Sequence, residues 1–205
     1  MRVLVACEFS QVVTKAFRER GHEAYSCDLL PTEGNPEWHI QGDVLKWIDG
    51  FYDMPNYVLG TRFRFRKWDL MIAHPPCTYL SRAGARWWGK DSAREQKTQE
   101  AFEFVMALAN APIDKICIEN PIGKLKSMWR PPDQAIEPYW FGERYRKRTW
   151  LWLRNLPPLM ATLVNPEKAF WVHSNCRKRK GATSGGLRSA ITFEGIAKAM
   201  AEQWG

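Results

Sequence analysis

Long apolar runs are missing from this 205-residue chain; the longest are short, such as Leu70 to Ala73. A membrane span needs about 18 unbroken apolar residues, so none is expected. The opening Met-Arg-Val-Leu-Val-Ala meets Glu8 at once, which leaves no room for the apolar core of a signal peptide. Cysteine is sparse and unpatterned: Cys7, Cys27, Cys77, Cys117 and Cys176 are widely spaced, odd in number and form no Cys-x-x-Cys pair. That argues against a disulfide framework and a zinc ribbon, and it points to a reducing cytoplasm. Histidine is equally scarce. His22, His39 and His173 stand at no ligand spacing from any Cys or Asp, so no metal is expected. No internal repeat is visible, and the composition excludes collagen-like, mucin-like and wholly disordered chains.

What is there is an ordinary globular composition with a positive excess. The hydrophobic fraction is 45%, and 30 Lys and Arg face 22 Asp and Glu, a net charge of +8. At about 150 residues per domain the length fits one domain with a small extension. The positive balance favours a polyanionic partner. The 11 Trp suit stacking on bases, although Trp more often fills cores.

Along the chain, apolar runs alternate with helical periodicity. Val3 to Ala6 reads as a buried parallel strand, Gln11 to Arg20 as a helix with Val12, Val13, Ala16 and Phe17 on one face, and Gly21 as its terminator. Glu23 to Cys27 reads as a second strand ending at Asp28. After a Pro, Gly and Asn loop from Pro31 to Trp38, Gly42-Asp43-Val44 closes another extended piece. Trp68 to Ala73 is a strong strand signal that stops at His74-Pro75-Pro76, because proline cannot continue a central strand. Asp91 to Ala109 is the best helix, with Phe102, Val105, Met106 and Leu108 apolar. Lys115 to Ile118 is a strand broken by Asn120-Pro121, Lys147 to Leu153 another strand, and Phe193 to Trp204 a closing helix. Residues 49 to 66 resist assignment, although Arg62 to Lys67 alternates like an edge strand.

This alternation predicts an α/β fold: a Rossmann-like, doubly wound, mostly parallel sheet in a single domain. Ligands in such sheets sit at the carboxyl ends of the strands. The residues predicted there are Cys7-Glu8-Phe9, Asp28, Asp43, His74 to Cys77, and Glu119-Asn120-Pro121. Cys77 follows two prolines, so its loop is stiff and its side chain has a fixed direction. A buried, inert thiol is the alternative. Glu119 occupies the equivalent loop of another strand, where a plain capping or surface carboxylate is the alternative. His74 stands beside Cys77 and could tune it, but reads first as an ordinary loop histidine.

The stretch His74-Pro-Pro-Cys-Thr-Tyr-Leu-Ser81 resembles the Pro-Cys-Gln-x-x-Ser nucleophile loop of DNA cytosine-5 methyltransferases. Ile118-Glu-Asn-Pro121 resembles that family's Glu-Asn-Val loop. Phe141-Gly142, then Arg146-Lys147-Arg148 and Trp150-Leu151, resemble its Tyr-Gly and Arg-x-Arg segments leading into a strand. The segments come in the family's order over roughly residues 3 to 154, and the chain looks like the short, phage-encoded members. The resemblance implies a class I methyltransferase-like fold, S-adenosylmethionine as cofactor and DNA as substrate. It implies Cys77 as the nucleophile that adds to carbon 6 of cytosine, converting the ring into an enamine able to attack a methyl donor. Glu119, protonated at that moment, would stabilise charge at ring nitrogen 3. Asn120 would hold the loop or bond the base, and Arg148 would contact the base oxygen and orient Cys77. For the cofactor, Asp28 would accept from the ribose hydroxyls, Leu29 would pack on the adenine and Asp43 would sit near the adenine amine, with Cys7, Glu8, Phe9 and Pro75 around them.

Two departures from the family stand out. Its glycine-rich first loop is here Cys7-Glu8-Phe9-Ser10-Gln11-Val12, with Phe9 and Gln11 in the glycine positions. Its separate target-recognition domain has no counterpart beyond a short basic insertion over 154–187. Duplex, single strand and free pyrimidine nucleotide therefore stay open as substrates, as do a different donor and a protein partner that supplies target recognition. A catalytically silent nucleic-acid-binding protein is a further alternative. Ser81, Arg82 and Arg86, in a loop that also holds Gly84, Trp87, Trp88 and Lys90, suit phosphate contact and stacking. Arg146 and the run Arg177-Lys178-Arg179-Lys180 are further candidates for nucleic acid, against the alternative of a solvated charge run.

Overall fold

Short apolar strands in the first half of the chain build the centre of the sheet. A computed structural model describes residues 1–52, 65–89, 92–163, 170–171 and 191–205. In chain order the described strands are β1 (Arg2–Ala6), β2 (Glu23–Asp28), β3 (His39–Gln41), β4 (Phe51–Tyr52), β5 (Phe65–Arg66), β6 (Leu70–Ala73), β7 (Lys115–Pro121), β8 (Gln134–Ile136), β9 (Tyr145–Arg146), β10 (Thr149–Arg154) and β11 (Phe170–Trp171). The described helices are α1 (Val12–Glu19), α2 (Ser92–Ala109), α3 (Leu125–Met128) and α4 (Glu194–Trp204).

The main sheet has the order β3-β2-β1-β6-β7-β10-β8. β3, β2, β1, β6 and β7 run parallel, and β10 lies antiparallel between β7 and β8. The chain winds outward from β1 to β3, then crosses back to β6 on the other side of β1. This is the doubly wound, Rossmann-like α/β sheet predicted from the sequence.

Strand parity divides the core in two. Val3, Val5, Leu70, Ile72, Cys117 and Leu151 face a layer formed by α1 and α4, with Phe17, Met200 and Trp204 in it. Leu4, Ala6, Met71, Ala73, Ile116 and Ile118 face the opposite layer, with Val105 and Leu108 of α2. Because both faces are covered, the strands read as continuous apolar runs rather than alternating ones. Each fully buried Val, Leu, Ile or Phe contributes roughly 1.5–3 kcal/mol.

Two boundaries differ from the sequence reading, and one unassigned stretch gains a strand pair. β7 does not break before Asn120-Pro121 but runs through them, because β10 pairs with it to the end, Trp150 with Asn120 and Thr149 with Pro121. Glu119 and Asn120 are therefore held on a strand, not on a loop. The extended piece near Gly42 lies before it, at β3, and Asp43 instead opens a 3-10 turn by accepting from Leu45 N at 3.0 Å. Within the unassigned stretch 49 to 66, β4 and β5 pair antiparallel; Arg62 lies outside the described residues.

Candidate active site

The carboxyl ends of β1, β2, β3, β6 and β7 lie side by side. Ala6 pairs with Cys27 and with Ala73, Ala73 with Ile118, and Asp28 with Gln41. The loops that carry Cys7, Asp28, Asp43, Cys77 and the end of the Glu119 strand therefore open on one edge. The antiparallel β10 begins at that edge, so it also delivers Arg146-Lys147-Arg148 there.

Cys77 is half-buried, and its carbonyl accepts from Leu80 N at 3.1 Å and Ser81 N at 2.8 Å, a tight turn. Burial and the Glu119 carboxylate hold its thiol above the ordinary range, against the opposing pull of Lys147 and a backbone hydrogen bond. At rest it is a thiol. Two ties lock the Cys77 loop to the Glu119 segment. Asn120, 1% exposed, donates from Nδ2 to the Pro75 carbonyl at 3.0 Å, while its buried Oδ1 has no partner among the described residues. Ser81 bridges Gly123, and Lys124 N donates to Leu80 O at 2.7 Å. A side chain at Gly123 would collide with the Leu80 carbonyl, so glycine is what permits this approach.

Glu119 is engaged from two sides. His74 Nδ1 stands 3.1 Å from its Oε2, and Lys147 lends its positive charge from the other. Burial pushes the Glu119 carboxyl up, but the bond to His74, the charges of Lys147 and His74, and the nearby Thr149 hydroxyl outweigh it and leave it below the usual glutamate value. The carboxyl is thus ionised at rest, and the proton expected on it in the reaction is not resident. His74, read first as an ordinary loop histidine, is a member of the site.

Lys147, not Arg148, is the cation of the Arg-Lys-Arg triplet that acts on both Cys77 and Glu119. Register explains the choice. Leu151 pairs with Glu119, so Thr149 and Lys147, at alternate positions, fall on the Glu119 side. Arg146 and Arg148 fall on the other side, are exposed, and act on the Glu137 carboxylate. Arg146 also lies over the Tyr139 ring at 5.5 Å. The sequence contains this alternation but not its sign, which depends on the pairing with β7.

The first loop is built differently from the sequence expectation. Both oxygens of Glu8, 4% exposed, serve the start of α1: Oε1 accepts from Val13 N at 2.7 Å, Oε2 from Thr14 N at 3.2 Å and from Thr14 Oγ1 at 2.7 Å. Glu8, placed among the cofactor residues by sequence, caps the start of α1, because the first turn of a helix leaves backbone N–H groups without partners. Gln11, in a family glycine position, keeps the left-handed backbone that favours glycine, with φ 59°. Its side chain is fully buried and turned inward, donating to Asn35 O at 2.8 Å and Ser26 Oγ at 3.2 Å and accepting from Asn35 N at 2.7 Å. These bonds offset the backbone strain and fasten the first loop to the loop after β2. Cys7 also has a positive φ, 60°, and its N–H donates to Cys27 O at 2.7 Å. Burial and the Asp28 carboxylate push the Cys7 thiol up strongly, and burial pushes Cys27 up to about 12.

Asp28 uses Oδ1 to accept from Leu30 N at 2.9 Å, and the neighbouring Leu29 is 72% exposed. Phe9 is 9% exposed, and Pro75 is buried. Ser81 is buried, whereas Arg82 is exposed and donates its N–H to Ile122 O at 2.8 Å. Arg86 lies in the 3-10 helix Arg82–Trp87. Arg177, Lys178, Arg179 and Lys180 lie outside the described residues, as does most of 154–187. Cations seat on rings near the Cys77 loop: Arg94 over Tyr79 at 5.2 Å and Lys124 over Trp88 at 5.1 Å. Among the described residues no three His, Cys, Asp or Glu side chains cluster as metal ligands, and no helix is long and apolar enough to cross a membrane.

No protein-family model matches the chain, and no curated protein matches it. Among solved structures it is similar to a candidate DNA modification methyltransferase encoded within a prophage of E. coli. The two are 10% identical with a TM-score of 0.47, and the match covers 82% of this chain and 53% of that one. The chain thus spans about half the length of this neighbour, 53%.

Proposed function

We propose that the protein transfers a methyl group from S-adenosylmethionine to carbon 5 of cytosine in DNA, through a covalent adduct at Cys77. One observation carries this reading: a half-buried thiol and an ionised carboxylate stand on adjoining segments of one sheet edge, locked together by Asn120 and Gly123.

The residues at the edge fit the cofactor at its adenosine end. Asp28 keeps a second carboxylate oxygen beyond the one used by Leu30, suited to ribose hydroxyls. Leu29 offers an exposed apolar side chain beside it, and the Asp43 carboxylate ends the next strand's turn. Cys7, Phe9 and Pro75, on the adjoining loops, complete the proposed set. S-adenosylmethionine bound there would supply an electrophilic methyl group.

The chain's own residues do the rest. A cytosine turned out of the stack presents carbon 6 to Cys77 Sγ. The sulfur–carbon bond forms as the thiol proton passes to the Glu119 carboxylate, and the ring electrons shift toward carbon 5 and ring nitrogen 3. Lys147 favours the thiolate, and the proton gained by Glu119 meets the nitrogen where negative charge develops. When carbon 5 later loses its proton, the Cys77 bond breaks and the thiol is restored. Asn120 holds the two segments at fixed distance, so the thiol and the carboxyl meet one ring. Ser81, Arg82, Arg86, Arg146 and the run Arg177 to Lys180 are the proposed contacts to DNA, with 154–187 a short basic insertion in place of a target-recognition domain. Arg148 is proposed to contact the DNA backbone from the Glu137 side.

Mass spectrometry of nucleosides from DNA of cells expressing the protein tests this, with Cys77→Ala as control. A Cys77-dependent methyl group on deoxycytidine supports the reading. A Cys77-dependent gain of another mass replaces the donor, and unmodified DNA beside a well-folded protein overturns it.

A further inference from the structure

His74 joins the two halves of the site. Its Nδ1 stands 3.1 Å from Glu119 Oε2, with side chains 7% and 15% exposed. Its Nε2 is buried, and among the described residues it has no hydrogen-bond partner. A buried polar atom without a partner is destabilising. Packing alone does not explain a histidine here, since an apolar residue would avoid that loss.

The backbone aims the ring. His74 N donates to Ala6 O at 2.9 Å, which carries the β6–β1 ladder one residue past Ala73. The following Pro75 restricts His74 to extended backbone, and Pro75 is itself buried and tied to Asn120. The imidazole is therefore presented to Glu119 from a rigid support. The other groups that face the carboxyl are Lys147 and Thr149 from the start of β10, Cys77 from the loop after β6, and Cys117 from β7.

We propose that His74 is the positioning residue of Glu119: its Nδ1–H holds Oε2 and turns the other carboxylate oxygen toward the ring nitrogen of a bound pyrimidine. The second half of that statement rests on the function proposed above; the first half does not. Nδ1 is the donor in this arrangement, so Nε2 is the bare nitrogen when the ring is neutral.

Two residues separate position from mere presence. An asparagine amide nitrogen falls near the place of Nδ1, whereas a glutamine amide nitrogen falls near that of Nε2. Carbon NMR of labelled glutamate carboxyls, in the protein without DNA, follows the Glu119 titration, with Glu119→Gln assigning the signal. The wild type should titrate below the ordinary value of 4.5. His74→Ala and His74→Gln should raise the midpoint, and His74→Asn should raise it clearly less. Equal midpoints in all four proteins, or equal shifts for Asn and Gln, would overturn the proposal. If His74→Ala does not fold, the Asn and Gln pair still decides it. A second arm measures the rate of covalent trapping by DNA containing 5-fluorocytosine. His74→Asn should keep a larger share of that rate than His74→Gln at equal DNA affinity. If the wild type forms no trapped complex, the methyltransferase reading fails while the titration still judges His74.

Discussion

Asn120 Nδ2 donates to the Pro75 carbonyl oxygen at 3.0 Å, across a separation of 45 residues. This bond joins the strand that carries Glu119 to the loop that carries Cys77. Neither side chain sits on a flexible tip, so their relation is set by the sheet.

Asn120→Ala should destabilise the fold by about 1–3 kcal/mol, because it strips the partner from a buried carbonyl. Denaturant unfolding measures this. Adduct formation at Cys77 should fall further than stability predicts, since the two segments lose their register. A variant with wild-type trapping rates would show that the bond is structural only.

Gly123→Ala should also act on the site. The added carbon meets the Leu80 carbonyl, which is backbone and cannot rotate away. Overpacking of this kind is destabilising by about 1–3 kcal/mol. The expected signature is a rate loss with secondary structure intact by circular dichroism, because the strain falls on the Cys77 loop rather than on the core.

Lys147→Met should slow Cys77 adduct formation at least about tenfold, equivalent to roughly 1.4 kcal/mol in the barrier. Arg148→Met should leave the rate of the bound complex nearly unchanged, because Arg148 acts on Glu137. Single-turnover trapping at saturating DNA compares them. The reverse ranking would restore Arg148 to the role that family resemblance assigns it.

Glu119 is held below its ordinary value of 4.5, so its stabilising contribution is fully present above that pH. The contribution is lost as pH falls through the lower, folded-state value. The stability difference between wild type and Glu119→Gln should therefore be largest near neutrality and shrink in acid. Urea midpoints across that range check the sign; a difference that widens in acid would contradict the ionised resting state.

Much of the frame was legible in the chain. Val3 to Ala6, Leu70 to Ala73 and Ile116 to Ile118 are apolar throughout, which marks strands covered on both faces. Their carboxyl ends named the edge on which Cys77 and Glu119 lie. Less visible was the extent of β7, where Asn120-Pro121 reads as a break. Pairing with β10 holds these residues extended, and a proline at the last position forgoes one ladder bond.

The roles of Glu8 and Gln11 could not be read locally. A carboxylate four residues before a helix resembles a ligand until its partners, Val13 N and Thr14 N, are seen. Gln11 looked like an obstruction in a glycine position; its side chain instead reaches Asn35, 24 residues away, and lies inside the protein.

By itself the sequence determined the alternation of strands and helices, the edge where polar residues gather, and the order of the three motif segments. Period and polarity are local properties, and each strand's pattern carries them. Only the tertiary structure decided which face of the Arg-Lys-Arg triplet looks at Glu119, and that His74 is its partner. Alternation defines two sets of side chains without saying which set faces inward. That sign is assigned when β10 pairs with β7 and when β6 brings His74 beside a carboxylate 45 residues away.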